Sequence, residues 1–336
     1  ADTEAAAKYG MGNPMGARMM SGNTAKHEEL EKVISKFVSR EDTMLLNFGY
    51  QGIMSCIDAL VNRRDVIVYD AESHACIVDG VRLHMGHRYA FKHNDIEDCE
   101  KQLQRATEMA AKNGGGILVI TEGVFGMDGE QGILKEIVAL KKKYEFRVFI
   151  DDAHGFGVLG KTGAGISEHF GCSAEDIPIY MATFGKALGT FGAFVSGSQE
   201  LIDYLTNFAR PYIYTTAMPP AIAAATRQSL TLLATEHWRR DYLQQLIQRF
   251  RQGVIQQGWQ LMASQTAIQP ILLGEESKAL SLSQALAERG FWVTAIRPPT
   301  VPVGQSRLRI TLTASHTQAD IDGLLNALAT LRADYV

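Results

Sequence analysis

Four cysteines in 336 residues, at positions 56, 76, 99 and 172, stand far apart and form no C-x-x-C. Such scarcity argues against a disulfide framework or a zinc site and leaves reduced thiols as the expectation. Basic residues (33 Lys and Arg) do not outnumber acidic ones (37 Asp and Glu), the formal net charge is −4, and no basic block interrupts the chain. A nucleic-acid partner is therefore not expected. No apolar run approaches the ~20 residues that a membrane span requires. Ala1-Asp2-Thr3-Glu4 carries no signal-peptide pattern, which makes a cytoplasmic protein with no membrane partner the expectation. Internal repeats and low-complexity segments are lacking too.

What is present is an ordinary globular balance, 46% hydrophobic and 21% charged, over a length that suits two domains, one of them large. Residues 1–10 read as the end of a helix entering a glycine turn at 10–18, and starting in mid-element suggests an N-terminal piece that is missing. Asn23 or Thr24 is placed to cap a helix through Phe37, with Leu30, Val33, Ile34 and Phe37 on one apolar face. A βα rhythm follows. Strands are expected at 43–48, 66–69, 89–92, 116–121, 148–150, 179–182 and 193–195, and helices from Gly49 to about Leu60, after His74, from a capping Asn94, and over 133–144. Strands alternating with helices argue for a parallel sheet covered on both faces. Pro219 and Pro220 open a long Ala- and Leu-rich helix to about Gln257. The remainder reads as a small α+β domain. The expected divisions are an N-terminal segment 1–40, a large domain 41–218, a connecting helix 219–257 and a small domain 258–336.

Two strand ends carry the chemistry. Val148-Phe149-Ile150 runs into Asp151-Asp152-Ala153-His154-Gly155, and Ile179-Tyr180-Met181-Ala182 into Thr183-Phe184-Gly185-Lys186. In open α/β sheets, ligands bind beyond the carboxyl ends of the strands. A lysine at one end and a carboxylate with an imidazole at the other suit pyridoxal 5′-phosphate (PLP), which needs an amine for its aldehyde and an acid beside its ring nitrogen. Lys186 is the amine, and Asp151 the acid that keeps the nitrogen protonated. His154 can donate to the phenolic oxygen, and His74, at a third strand end, is a flat group for the ring face. Gly49-Tyr50 opens a helix whose first amides can cradle the phosphate, with Thr183 adding a hydroxyl. Each residue also has a plainer reading: a surface lysine after a strand, a capping aspartate, a histidine in a first helical turn, a glycine that merely turns the chain. All of them falling at strand ends is more specific than any one.

The motifs Asp151-Asp152-Ala153-His154-Gly155, Thr183-Phe184-Gly185-Lys186, Thr121-Glu122-Gly123-Val124-Phe125, Met127-Asp128-Gly129 and Ser73-His74-Ala75 together resemble the α-oxoamine synthases, PLP enzymes of the fold-type I aminotransferase superfamily. The resemblance covers essentially the whole chain. It implies a mostly parallel seven-stranded sheet with helices on both faces and a small α+β C-terminal domain. After about residue 200, Tyr214-Thr215-Thr216-Ala217-Met218-Pro219-Pro220, Ala267-Ile268-Gln269-Pro270 and the stretch from Trp292 to Pro302 resemble the 8-amino-7-oxononanoate synthases of biotin synthesis. The front half is more similar to the serine palmitoyltransferase and 2-amino-3-ketobutyrate ligase branch. The implied reaction is a decarboxylating Claisen condensation of an amino acid with an acyl-CoA, alanine with pimeloyl-CoA above all. Lys186 is then the base on the α-proton, with Lys186 or His74 handling reprotonation.

The resemblance also implies that Glu122 belongs to the cofactor site and that Arg297 grips the substrate carboxylate, with Arg309 the weaker candidate. A homodimer is implied, in which Thr215 or Thr216 reaches the phosphate in the neighbouring subunit. Two departures stand out: Gly126 replaces the family's usual serine, and the family's N-terminal helix and arm are absent, which bears on acyl-CoA binding. An ordinary aminotransferase, and a scaffold homologue without catalysis, are the competing readings; no metal is implied.

Overall fold

The computed structural model describes residues 2–10, 12 and 16–335. Of the glycine-rich turn expected at 10–18, Met11, Asn13, Pro14 and Met15 lie outside the described residues. By compactness the chain divides into two units. The first is Ala1–Val124 with Gly132–Thr235, and the second is Phe125–Gln131 with Glu236–Val336.

The first unit is built on a seven-stranded sheet: β1 (Asp42–Leu46), β2 (Val66–Asp70), β3 (His87–Phe91), β4 (Ile117–Glu122), β5 (Arg147–Asp151), β6 (Ile179–Thr183) and β7 (Ala193–Gly197). The spatial order is β1-β7-β6-β5-β4-β2-β3. Only β7 opposes its neighbours; β2, β3, β4, β5 and β6 pair in parallel. The strands are short and almost wholly apolar, as strands buried on both faces must be. Alternation sorts their side chains. Val119, Val148 and Ile150 join Leu30 and Ile34 of helix Ala25–Phe37 and Leu103 and Ala106 of helix Ile96–Asn113 on one face. Leu118, Ile120, Phe149, Met181 and Val195 join Ile53 and Ile57 of helix Gly49–Leu60, Ile77 and Val81 of helix Ala75–Leu83, and Ile202 and Leu205 of helix Gln199–Phe208 on the other.

Three local expectations need correction. Val33 is 37% exposed and stands off the apolar stripe that Leu30 and Ile34 bury completely. The helix expected from a capping Asn94 is capped by Asp95, whose carboxylate accepts the Asp98 amide at 2.9 Å; Asn94 itself takes a left-handed turn with φ of 50°. The long helix after Pro220 is two helices, Pro220–Thr235 and Trp238–Gln256. The break at Glu236-His237 contains neither glycine nor proline, so nothing in the residue types announces it.

The second unit carries an antiparallel sheet of β8 (Ile268–Gly274), β9 (Thr294–Ile296) and β10 (Ser306–Thr311), in the order β8-β10-β9. Helices Trp238–Gln256, Glu276–Ala287 and Gln318–Leu331 contribute buried Phe250, Leu282 and Leu328 to its interior. Phe125–Gln131 is a hoop that this unit grips. The Gly129 carbonyl accepts the hydroxyls of Ser264 and Thr266 at 3.0 Å each, the Gly126 carbonyl accepts Arg309 Nε at 2.8 Å, and Asp128 pairs with Arg307. Both members of that ion pair are nearly inaccessible, so losing one would strand a buried charge at a cost of about 3–5 kcal/mol. At the hoop's neck the Gly132 amide donates to the Gly123 carbonyl at 3.0 Å, so the chain leaves the large sheet and re-enters it at one point.

Candidate functional site

The carboxyl ends of β4, β5 and β6 lie side by side, and period-two alternation aims Glu122, Asp151 and Thr183 at the same face as Ile120, Phe149 and Met181. Glu122 and Asp151 are register partners, so two buried carboxyls, 4% and 6% exposed, stand next to each other. Burial first and the neighbouring Asp151 second push the Glu122 carboxyl up to about 8; the His74 amide, which donates to its Oε1 at 2.6 Å, and the Lys186 ammonium pull the other way. Asp151 is also raised by burial, and is opposed by Lys186, by the Ala153 amide donating to Oδ1 at 3.0 Å, and by His74. Two adjacent acids in low dielectric cannot both ionise cheaply. The charge settles on Asp151, which has the lysine as its leading counter-charge, and Glu122 keeps its proton at neutral pH.

Lys186 follows β6 on an exposed turn. Bonds from Phe184 N to Gly192 O (2.9 Å) and Thr190 N to Phe184 O (3.0 Å) close that turn. Gly192 has φ of +114°, and a Cβ there would sit 2.5 Å from Met218 Cε, so only glycine serves. His154 is half-buried in the turn after β5, three residues past Asp151. Its neighbour Asp152 points to the opposite face and ties the loop down, accepting Tyr180 Oη at 2.6 Å and the Ile166 amide at 2.7 Å. Burial lifts its carboxyl to about 7.

The first helical residue on this face, Gly49, presses on the end of β6: a Cβ at 49 would lie 2.6 Å from Thr183 Cγ2 and 3.0 Å from Met181 Cε. The opening amides of a helix lack helical acceptors and carry its positive dipole end. Beside them Thr183 Oγ1 is buried without a hydrogen-bond partner. Such a hydroxyl normally finds a partner, and an anion held at this helix end would supply it. Tyr50 offers only its amide here, because its hydroxyl is committed to Asp79 Oδ2. His74 caps helix Ala75–Leu83 with its ring exposed.

The remaining expected site residues have partners of their own. Thr215 donates its hydroxyl to the Pro211 carbonyl, whereas Thr216 is exposed and fixed through its own carbonyl, which accepts Asn47 Nδ2 at 2.8 Å. Arg297 and Arg309 belong to the second unit. Arg297 pairs with Glu276 at 3.0 Å, each side chain about half exposed. Arg309 is half-buried rather than outward and solvated, and holds Gly126 and, at 3.0 Å, Thr311 Oγ1. Sequence reasoning gave no role to Asp152 or to the Asp128–Arg307 pair; their only signal was membership of the motifs Asp151-Asp152-Ala153-His154 and Met127-Asp128-Gly129. Cys76 was read as one of four reduced thiols. All four are indeed unpaired, but its sulfur lies 2.9 Å from His74 Nδ1.

A cavity of about 410 Å³ occupies the other end of the sheet, lined by Leu60, Val61, Ile117, Leu118, Ile179 and Leu201 with Asp65 and Arg147. Both Asp65 oxygens are used locally, accepting the Gly116 and Asn62 amides at 2.7 and 2.8 Å. Among the described residues no group of three or more His, Cys, Asp or Glu is placed to hold a metal ion, and no helix is long and apolar enough to cross a membrane.

Comparison with known proteins agrees with this geometry. The family model for aminotransferase class I and II matches residues 3–328. The chain is 47% identical to the 8-amino-7-oxononanoate synthase of Saccharophagus degradans over 97% of its own length and 81% of that protein's. It is 47% identical to the cysteate-C-fatty acyltransferase of Capnocytophaga ochracea over 98% of its length and 79% of the relative's. Serine palmitoyltransferase of S. paucimobilis, solved with PLP and myriocin bound, superposes with a TM-score of 0.92 at 32% identity, over 99% of this chain and 82% of that one. With matches that span nearly its whole length, the chain belongs to the aminotransferase class I and II family, among the α-oxoamine synthases whose motifs it carries.

Proposed function

We propose that the protein is a PLP-dependent α-oxoamine synthase that joins an amino acid to an acyl-CoA with loss of CoA and CO2, L-alanine and pimeloyl-CoA giving 8-amino-7-oxononanoate for biotin synthesis. The observation that carries this reading is the in-register Glu122–Asp151 pair at the strand ends, with Lys186 as the opposing charge on both. When bound, PLP supplies an electron sink for the α-carbon of the amino acid. The residues present fit it: the orphaned Thr183 hydroxyl and the helix start at Gly49-Tyr50 suit a phosphate, and a buried anionic Asp151 suits a protonated ring nitrogen.

Each side chain then has a task. Lys186 Nζ would hold PLP through its aldehyde and would serve as the base for the α-proton. Asp151 keeps its charge because protonated Glu122 stands beside it. His154 would hold PLP by donating to its phenolic oxygen, taking over work that a serine at 126 would share. His74 would hold it from a ring face. Arg297 receives the substrate carboxylate in bidentate fashion once it leaves Glu276. Arg309 acts indirectly, by fixing Gly126.

The site is completed in a cytoplasmic homodimer, with Thr216 of the second copy reaching the phosphate. In support, Phe48, Tyr50, Phe208 and Tyr214 are each at least 41% exposed, at the ends of helices Gly49–Leu60, Gln199–Phe208 and Arg210–Ile213, which touch one another. Large apolar side chains gathered in one region mark association surfaces. A second reading keeps the chemistry and changes the amino acid, because the cysteate-C-fatty acyltransferase is as similar as the 8-amino-7-oxononanoate synthase.

The deciding experiment adds PLP to the purified protein and records the visible spectrum before and after borohydride, with peptide mass mapping. A band that reduction fixes on Lys186 is expected; its absence from a folded protein would overturn the reading in favour of a scaffold homologue. An amino-acid panel with pimeloyl-CoA, read by product mass, then tests alanine: turnover confined to cysteate or serine would sink that assignment. Pyruvate release from alanine without CoA dependence would instead identify an aminotransferase.

A further inference from the structure

His74 is an unusual helix cap. Caps are normally Ser, Thr, Asp or Asn, whose side-chain oxygen accepts an amide of the first turn. Here an imidazole nitrogen does so: His74 Nδ1 accepts the Cys76 amide at 3.2 Å. Cys76 Sγ lies 2.9 Å from the same nitrogen. The direction of that second contact follows from the surroundings of the thiol. Cys76 is 3% exposed, and burial together with the nearby Asp151 carboxylate holds it protonated far above the ordinary thiol range. A thiol that keeps its proton is a donor beside an unprotonated nitrogen. Both contacts therefore donate to Nδ1.

We infer that Cys76 is a positioning residue: its N–H and S–H together hold the His74 imidazole with its proton on Nε2, so the ring offers the site a hydrogen-bond donor and no free basic nitrogen. Which ring nitrogen of a histidine carries the proton is set by the partner of the other. With Nδ1 engaged twice, the tautomer is fixed by local covalent neighbours, two residues along the chain, before any ligand enters. The consequence for the reaction, which rests on the proposed PLP chemistry, is a division of labour. His74 does not pull the α-proton; that task and the later reprotonation fall to Lys186. The same anchoring fixes the ring plane, because an imidazole held at Nδ1 from one side cannot flip without losing both donors. The backbone assists from the other direction, since the His74 amide is itself donated to Glu122 Oε1.

The test is direct. The protein is labelled with 15N-histidine, loaded with PLP, and long-range 1H–15N correlation spectra are recorded, with His74→Gln assigning the signal. The expected pattern is a single tautomer, Nδ1 bare and Nε2 protonated. Cys76→Ala keeps the backbone donor and loses the thiol, and its His74 nitrogen shifts should move toward the tautomer-averaged position, while Cys76→Ser restores the native pattern. In turnover, Cys76→Ala should lower kcat about fivefold, the worth of one ordinary hydrogen bond, with KM for the amino acid unchanged and serine rescuing. A wild-type ring protonated on Nδ1, or shifts in Cys76→Ala identical to wild type, would overturn the inference. The wild-type spectrum decides even if the alanine variant fails to fold. Failure of the PLP reading itself would look different: no borohydride-fixed band and no turnover, with the His74 tautomer intact.

Discussion

The two ends of the large sheet make an instructive pair. At the amino ends of β4, β5 and β6 there is a roomy cavity with an apolar wall, one carboxylate satisfied by backbone amides, and an exposed arginine. At the carboxyl ends there is far more unresolved electrostatics: two adjacent buried acids, a lysine facing both, a hydroxyl with no partner and a glycine-shaped helix start. Parallel strands deliver their last residues, and the first turns of the following helices, to one edge, so polar groups collect there while the opposite edge receives loop returns and apolar strand starts. Function follows the concentration of perturbed groups.

Substitutions at the carboxyl end should break this contrast in order of their closeness to the reacting atoms. Lys186→Ala should lower kcat by about four orders of magnitude and abolish borohydride trapping. Its melting temperature should stay near wild type because the side chain is exposed; retained turnover would remove the lysine from the mechanism. Asp151→Asn should cost about 10²–10³ in kcat with PLP still bound, checked by steady-state kinetics against the cofactor band.

Asp152 sharpens the comparison, because it sits at the same strand end but faces away from the site. Its carboxyl is raised in the folded state from an ordinary 3.8 to about 7, so the fold binds more protons than the unfolded chain between those values. Its stabilising contribution is complete below about pH 4 and is lost as pH rises through about 7. The span corresponds to about 4 kcal/mol. Asp152→Asn, which cannot ionise, should therefore gain on wild type in melting temperature from pH 4 to 7 and hold a constant margin above. A margin that shrinks over that range would refute the buried-acid account. At the amino end, Arg147→Gln should alter stability by no more than about 0.5 kcal/mol and leave kcat unchanged. A tenfold loss of activity there would erase the distinction between the two ends.

How much of this was legible in the residues differs between the two units. In the large sheet, short apolar strands running into Asp151 and Thr183 announced both the architecture and the site, since the strand-end rule acts locally; Glu122 read as the first residue of a loop and entered the site only through the family resemblance. Register was not legible. That Glu122 stands directly beside Asp151, and so shares its proton economy, depends on how β4 and β5 align. Nor was the double contact between Cys76 and His74, which requires the ring to turn back over its own helix. In the second unit, Arg309 read as a possible outward residue, yet it is half-buried on Gly126, because what occupies its side of β10 is a hoop from 183 residues earlier in the chain. The break at Glu236-His237 escaped because helix-compatible residues occupy it, and residue propensity is only a weak guide to where a helix stops.

The hoop has a consequence for how the protein comes into being. Asp128 and Arg307, partners in a nearly inaccessible ion pair, are 179 residues apart in the chain. At a synthesis rate of about 5–20 residues per second, Asp128 waits on the order of ten seconds or longer before its counter-charge is even made. Throughout that interval the sheet strands on either side of the hoop already exist and can pair, while residues 125–131 belong to a structure that has no other parts yet. Neither unit is a continuous stretch of chain, so no single proteolytic cut can release the second one whole, and a fragment beginning at Glu236 would leave Arg307 and Arg309 without the seven residues they hold.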